Sequence, residues 1–167
     1  MALEQGFTVA SPDFEPNGTV RNAQVFDGWG ATGENVSPEL SWSGAPAGTR
    51  SFAVTLYDPD APTGSGWWHW LIFNIPPDVS RLPAGAGNPS RNLAPPGTVQ
   101  TRTDYGTVGY GGPCPPPGDK PHRYVLTVFA LGVPRLDLGP DSSGALVGFN
   151  LNANALARAS VTSYYGR

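Results

Sequence analysis

Three runs of apolar, β-branched and aromatic residues stand out along the chain: Phe52–Tyr57, His69–Ile75 and Arg123–Leu131. Each is bounded by Gly, Pro and Asp clusters, the signature of buried strands that end in turns. Shorter patches at Phe7–Val9, Gln24–Phe26, Leu40–Trp42 and Val161–Tyr165 predict further strands. Between Pro76 and Gly97 six prolines interrupt any period, and a stretch that long is more than a simple connection. Near the C-terminus the period changes. Leu146, Phe149, Ala153, Leu156, Ala157 and Ser160 fall at offsets 0, 3, 7, 10, 11 and 14, one apolar-to-small stripe at the helical repeat. Asp141, Ser142 and Ser143 offer capping oxygens in front of it. The pattern predicts a mainly β protein of short strands with one helix near the C-terminus. With no internal repeat and no linker, residues 1–167 read as a single domain.

Composition sharpens this picture. Gly 22 and Pro 19 make about a quarter of the chain, a proportion approaching that of disordered segments. Hydrophobic residues at 39% and aromatics at 11% nevertheless supply a core, and the Gly and Pro cluster between the apolar runs as turns. Charged residues are only 14% and the net charge is -3, so no basic field exists to hold nucleic acid or an anionic membrane. Any anion must be caught locally. Cys114 is the one cysteine, so no intrachain disulfide forms. No apolar run reaches the ~18 residues of a membrane span, and Met1–Gln5 opens no basic-then-apolar leader. These features point to a cytoplasmic protein without integral membrane association.

The candidate chemistry lies in two runs, each closed by one of the chain's two histidines. In the first, Asp58-Pro59-Asp60-Ala61-Pro62 leaves the end of a strand and leads to Trp67-Trp68-His69-Trp70. Prolines restrict the residues before them, so Asp58 is held in place. Read alone, the pentapeptide is equally a solvated turn. Strand alternation sends His69 to one face and its tryptophan neighbours to the other. A carboxylate bound to one ring nitrogen would leave the second for a ligand. In the second run, Gly111-Gly112 is followed by a Pro-rich loop and by His122-Arg123-Tyr124. Glycines allow backbone N–H groups to approach an anion. His122 and Tyr124, two apart on a strand, share a face, and Arg123 faces away as a structural or surface residue. The spacing of Asp58, Asp60, His69 and His122 is not a recognised metal-ligand pattern, so no metal and no cofactor is expected. Cys114 and His122 make a poor nucleophile–base pair, because prolines flank the cysteine and no orienting partner is identified.

Together the runs resemble the phosphatidylethanolamine-binding protein family, the Raf kinase inhibitor-like proteins, in its compact bacterial branch. The resemblance is carried by Tyr57-Asp58-Pro59-Asp60-Ala61-Pro62 with Trp68-His69-Trp70, and by Gly109-Tyr110-Gly111-Gly112-Pro113 through His122-Arg123-Tyr124. Glu34 to Trp42, Leu82-Pro83-Ala84-Gly85 and the last helix add to it, so it spans nearly the whole chain. It implies an antiparallel β-sandwich-like fold with a few peripheral helices. It also implies a small anion pocket lined by Asp58, His69, His122 and Tyr124, with Gly112 giving a backbone N–H and Asp60 close by, and a cis peptide at Ala61–Pro62. The last helix reads Phe149-Asn150-Leu151-Asn152-Ala153-Asn154, where bacterial relatives often carry a histidine.

The function expected from the residues and the resemblance is binding of a small anion, a phosphate or phosphorylated head group, with modulation of kinases or signalling as the family name implies. In this picture the histidines and backbone N–H groups supply positive potential, Asp58 accepts a hydrogen bond from an imidazole or from a protonated ligand oxygen, and Tyr124 donates its phenolic O–H. Two further readings stay open. One is an acid/base enzyme that cyclises or isomerises a small metabolite with Asp58, His69 and His122. The other is a protein-interaction module with a protein partner. A tryptophan-rich surface is compatible with a homodimer.

Overall fold

The computed structural model describes residues 6–167; Met1–Gln5, where the absence of a leader was read, lie outside the described residues. Eight strands are present: β1 Thr8–Ala10, β2 Leu40–Ser43, β3 Ser51–Asp58, β4 Trp67–Ile75, β5 Arg81–Leu82, β6 Val99–Gln100, β7 His122–Leu131 and β8 Ala155–Tyr165. One α-helix, α1, spans Gly144–Asn154, and 3-10 turns occupy Asn22–Gln24 and Pro89–Arg91. The strands make two antiparallel sheets, a three-stranded one ordered β1-β2-β5 and a five-stranded one ordered β6-β4-β3-β7-β8. The mainly β, two-sheet expectation therefore holds.

The main core lies between the sheets. Leu40, Trp42 and Leu82 from the small sheet pack with Val54, Leu56, Trp70, Ile72, Tyr124, Leu126 and Val128 from the large one. Their alternation along β3 and β7 is the period-2 pattern of strands that face a core on that side. The opposite face of the large sheet carries Ala53, Leu71, Phe73, Phe129 and Leu131, covered by Val147 and Leu151 of α1 together with Leu136. Both faces of β3 and β4 are thus buried, which is why these strands read as unbroken apolar runs.

The C-terminal region departs from the helical stripe. The helix ends at Asn154, and the chain passes directly into β8, which pairs with β7 from Leu131↔Ala155 to His122↔Tyr165. Leu156, Ala157 and Ser160, placed on a helix by their spacing, lie in this strand, because pairing along β7 satisfies every second backbone group there. Within α1 the buried positions are Gly144, Val147 and Leu151, whereas Phe149 is 72% exposed and Leu146 45%. Small residues lie where Trp68 packs: a Cβ on Gly144 would come within 2.4 Å of its indole. The Ser143 hydroxyl accepts from Leu146 N–H and caps the helix, as expected of one of the three candidates. Gln24–Phe26, expected as a strand, is not one: Gln24 ends a 3-10 turn, Val25 follows it in extended conformation, and Phe26 N–H donates to Pro113 O. No helix among the described residues is long and apolar enough to cross a membrane.

Candidate functional site

At one end of the large sheet, the last residue of β3, the start of β4 and the start of β7 open into a pocket of about 220 Å³. Asp58, His69, His122 and Tyr124 line it, with walls from Trp29, Trp67 and Tyr105 and a lip from Ala61–Thr63 and Cys114–Pro116.

His69 enters the pocket through a bulge. Leu56 pairs with Trp70 and the next residue, Tyr57, pairs with Trp68, so His69 is the extra residue on β4. A bulge re-aims a side chain by adding one residue to one strand. Here Trp68 remains on the α1 face while His69 and Trp70 both turn toward the inter-sheet side, which corrects the simple alternation expected. His69 Nδ1 lies 2.7 Å from Gly111 O, and Gly111 N–H donates back to His69 O. A carbonyl only accepts, so Nδ1 carries the proton and Nε2 is a bare acceptor. Burial pushes the His69 pKa down to about 4, more than the hydrogen bonds to the glycine segment offset, so the ring is neutral.

His122 is held differently. Nδ1 faces Asp58 Oδ2 at 2.7 Å and Nε2 faces Asp119 Oδ2 at 2.9 Å. Two carboxylates on two ring nitrogens require both nitrogens to donate, which is the imidazolium form. Burial opposes that charge, but the hydrogen bonds to Asp58 and Asp119 prevail and raise the pKa above the ordinary histidine value. Asp58 also accepts from Asp60 N–H at 2.8 Å. Its pKa is raised by burial, which His122 only partly counters. Asp58 and His122 therefore both hold a proton more firmly than the free groups do.

Tyr124 is fully buried beside His69, with ring centroids 5.4 Å apart. Its hydroxyl has no hydrogen-bond partner among the described residues, and the same is true of Trp67 Nε1. A buried donor without a partner costs free energy, and this one lies at the pocket.

Two expected residues do other work. Asp60 does not line the pocket; it grips Arg123 with Nη2 at 2.8 Å, Nε at 3.0 Å and the backbone N–H at 2.8 Å. That clamp lowers its pKa to about 2. Gly112 gives its N–H to Asn35 Oδ1 at 2.8 Å, so it is not offered to an anion. The glycine is required for a different reason: a Cβ there would lie 2.1 Å from Gln24 O, where the loop is pressed against the Asn22–Phe26 segment. No cis peptide bond occurs among the described residues, so Ala61–Pro62, expected cis, is trans. Among the described residues no group of three His, Cys, Asp or Glu side chains is arranged to hold a metal ion.

Sequence reading missed the aromatic wall. Tyr105 stacks on Phe26 at 4.1 Å and donates its hydroxyl to Gly112 O. Trp29 leans edge-on against Tyr105 and Trp67, is 66% exposed and has φ 55. A bulky non-glycine residue in the left-handed region is uncommon and marks a held position at the rim. The only sequence signal was Trp29 lodged between two glycines. Asp119 was also missed, hidden in a loop that read as a connector.

Comparison with known proteins agrees with this architecture. Residues 10–166 match the family model described as phosphatidylethanolamine-binding protein. The UPF0098 protein YbcL of Escherichia coli K12 is 52% identical over 164 residues, covering 98% of this chain and 90% of its own. The crystal structure of E. coli YbcL, described as a new member of the mammalian PEBP family, superposes with a TM-score of 0.95 over 96% of this chain and 98% of that one. YbhB of the same organism is 49% identical over 155 residues, covering 93% of this chain and 97% of its own. A protein named putative lipoprotein LppC from Mycobacterium tuberculosis is 35% identical over 137 residues, covering 82% of this chain and 61% of its own. The chain belongs to the phosphatidylethanolamine-binding protein family.

Proposed function

We propose that the pocket binds a small oxyanion that carries a proton, such as the monoanion of phosphate or of a phosphorylated head group. The observation that carries this reading is the unpartnered Tyr124 hydroxyl beside the neutral His69 ring. The hydroxyl donates to one ligand oxygen, and His69 Nε2 or Asp58 accepts from the ligand's own O–H. The expectation that both histidines supply positive charge is revised. His69 is neutral, and the charge of His122 is taken up by two carboxylates. A fully ionised ligand would meet Asp58 with no proton between them, and this disfavours it. At about 220 Å³ the space suits a head group and lies below the ~300–1,000 Å³ of sites for drug-sized ligands, so acyl chains stay outside. A binding protein with no chemistry of its own fits this set better than an acid/base enzyme, because a histidine with a pKa near 4 is a weak base.

The test is a titration of the wild-type protein with inorganic phosphate and with phosphoethanolamine, following the imidazole resonances by NMR. A saturable shift of His69 with either probe supports the reading, and a preference for phosphoethanolamine would point to a head group as the source. An unmoved His69 at millimolar ligand contradicts it.

A further inference from the structure

The site as described has no free cation at its floor. Asp58 and Asp119 bracket a single imidazolium, His69 is neutral, and the N–H groups of Gly111 and Gly112 are bonded to His69 O and Asn35 Oδ1. Two carboxylates against one imidazolium leave the floor negative. An oxyanion attracted to this pocket needs a positive group elsewhere.

We propose that Arg167 is that group: its guanidinium, held against the lip of the pocket, is the cation that draws the oxyanion in and contacts it. This rests on the oxyanion reading given above. Arg167 Nε donates to Pro115 O at 2.7 Å, and Nη2 lies 3.5 Å from Cys114 Sγ. Pro115 and Cys114 both line the pocket. Nη1 reaches the other lip, where a Cβ on Gly30 would stand 3.3 Å from it, next to the exposed Trp29. The guanidinium therefore lies against the lip, between the Trp29 loop and the Pro-rich loop, in the neighbouring hollow that Asp119 and Tyr165 also line. Its backbone is pinned as well, since Gly118 N–H donates to Arg167 O at 2.8 Å.

Four other arginines are committed to carboxylates. Arg123 is clamped by Asp60, and Arg21, Arg81 and Arg135 pair with Glu15, Glu39 and Asp137. No carboxylate among the described residues pairs with Arg167. Two of its five N–H donors are engaged, and three remain for a ligand. Guanidinium geometry suits a planar pair of oxygens, which is why arginine recurs at phosphate sites.

The experiment measures the affinity of wild type, Arg167→Gln, Arg167→Lys and Lys120→Gln for inorganic phosphate by NMR at low salt. The Nε–Hε signal of Arg167 is followed alongside His69. Glutamine keeps an N–H for Pro115 O and loses the charge; lysine keeps the charge and loses the fork. Arg167→Gln weakens binding about tenfold, the scale of one charge-assisted hydrogen bond. Arg167→Lys stays within about threefold of wild type, and Lys120→Gln, an equal loss of charge on an exposed part of the loop, leaves affinity unchanged. The wild-type Arg167 signal shifts with the same midpoint as His69, and the deficit of Arg167→Gln narrows as salt screens the charge. Wild-type affinity in Arg167→Gln, or an equal loss in Lys120→Gln, overturns the proposal. Equal losses in the Gln and Lys variants also overturn it and make Arg167 a structural tie of the lip. Absence of binding by the wild type would remove the oxyanion reading and this proposal together, whereas binding that ignores Arg167 removes this proposal alone.

Discussion

Replacing Tyr124 with phenylalanine separates stability from function. The ring is fully buried in the inter-sheet core, and only its hydroxyl lacks a partner. An unsatisfied buried hydroxyl costs about 1–3 kcal/mol. Removing it leaves the packing of the ring intact, so Tyr124→Phe stabilises the unliganded protein by about 1 kcal/mol, taking the lower bound. For a chain of this size that raises Tm by about 2–4 °C. Ligand reverses the order. At a phosphate concentration about 100 times the wild-type Kd, wild type gains about 2.7 kcal/mol. A variant that binds about tenfold more weakly gains about 1.4 kcal/mol under the same relation. The lead of the variant without phosphate is thereby cancelled or inverted. Urea titrations with and without phosphate read both effects. A variant less stable than wild type without phosphate, and equally stabilised by it, would refute the assignment of that hydroxyl to a ligand.

Three further outcomes follow from the geometry. His69 has a pKa of about 4 against 6.5 when unfolded, so its contribution to stability is present above the unfolded value and is lost as pH falls toward the folded one. The loss is about 3 kcal/mol; His69→Asn, which keeps a donor for Gly111 O, unfolds with a flatter acid limb, and identical limbs in urea midpoints against pH would count against a neutral His69. Gly112→Ala pushes a methyl group into Gln24 O and Phe26 N and costs at least about 2 kcal/mol, whereas Gly64→Ala, with nothing within 4 Å, stays within about 0.5 kcal/mol. Leu151→Ala, on the buried face of α1, costs about 2–5 kcal/mol; Phe149→Ser, on the exposed face, is close to neutral, and chemical denaturation giving the opposite order would restore the helical stripe read from spacing.

The parts of the fold legible in the sequence were those buried on both faces. β3, β4 and β7 are dense in β-branched and aromatic residues because sheet and helix cover them, and no other element competes for such a pattern. The C-terminal stripe misled because Leu146, Phe149 and Leu156 are all substantially exposed. Apolar residues on a surface mimic a core face, and the alanines after Asn154 follow their strand partner on β7 instead of a helical propensity. In the pocket, Asp58, His69, His122 and Tyr124 were legible as motif positions. Their states were not. The proton on His122 depends on Asp119, the neutrality of His69 depends on its burial and its tautomer on a carbonyl 42 residues away in sequence, and the inward turn of His69 depends on a bulge that no residue type announces. Asp60 and Gly112 looked like ligand groups because acids and glycines serve anion sites and tight packing alike. Only the contacts to Arg123 and to Gln24 decide between the two roles.

The most direct test of a pocket for a protonated oxyanion is the affinity for phosphoethanolamine at about pH 6 and about pH 8, by calorimetry. With a second phosphate pKa of about 6, about half of the ligand carries the proton at the lower pH and about one part in a hundred at the higher. Asp58 and His122 favour the same direction, because any proton they lose as pH rises leaves the site more negative. Binding is weaker by about fiftyfold at the higher pH. Affinity that is flat with pH, or tighter at the higher value, would contradict it.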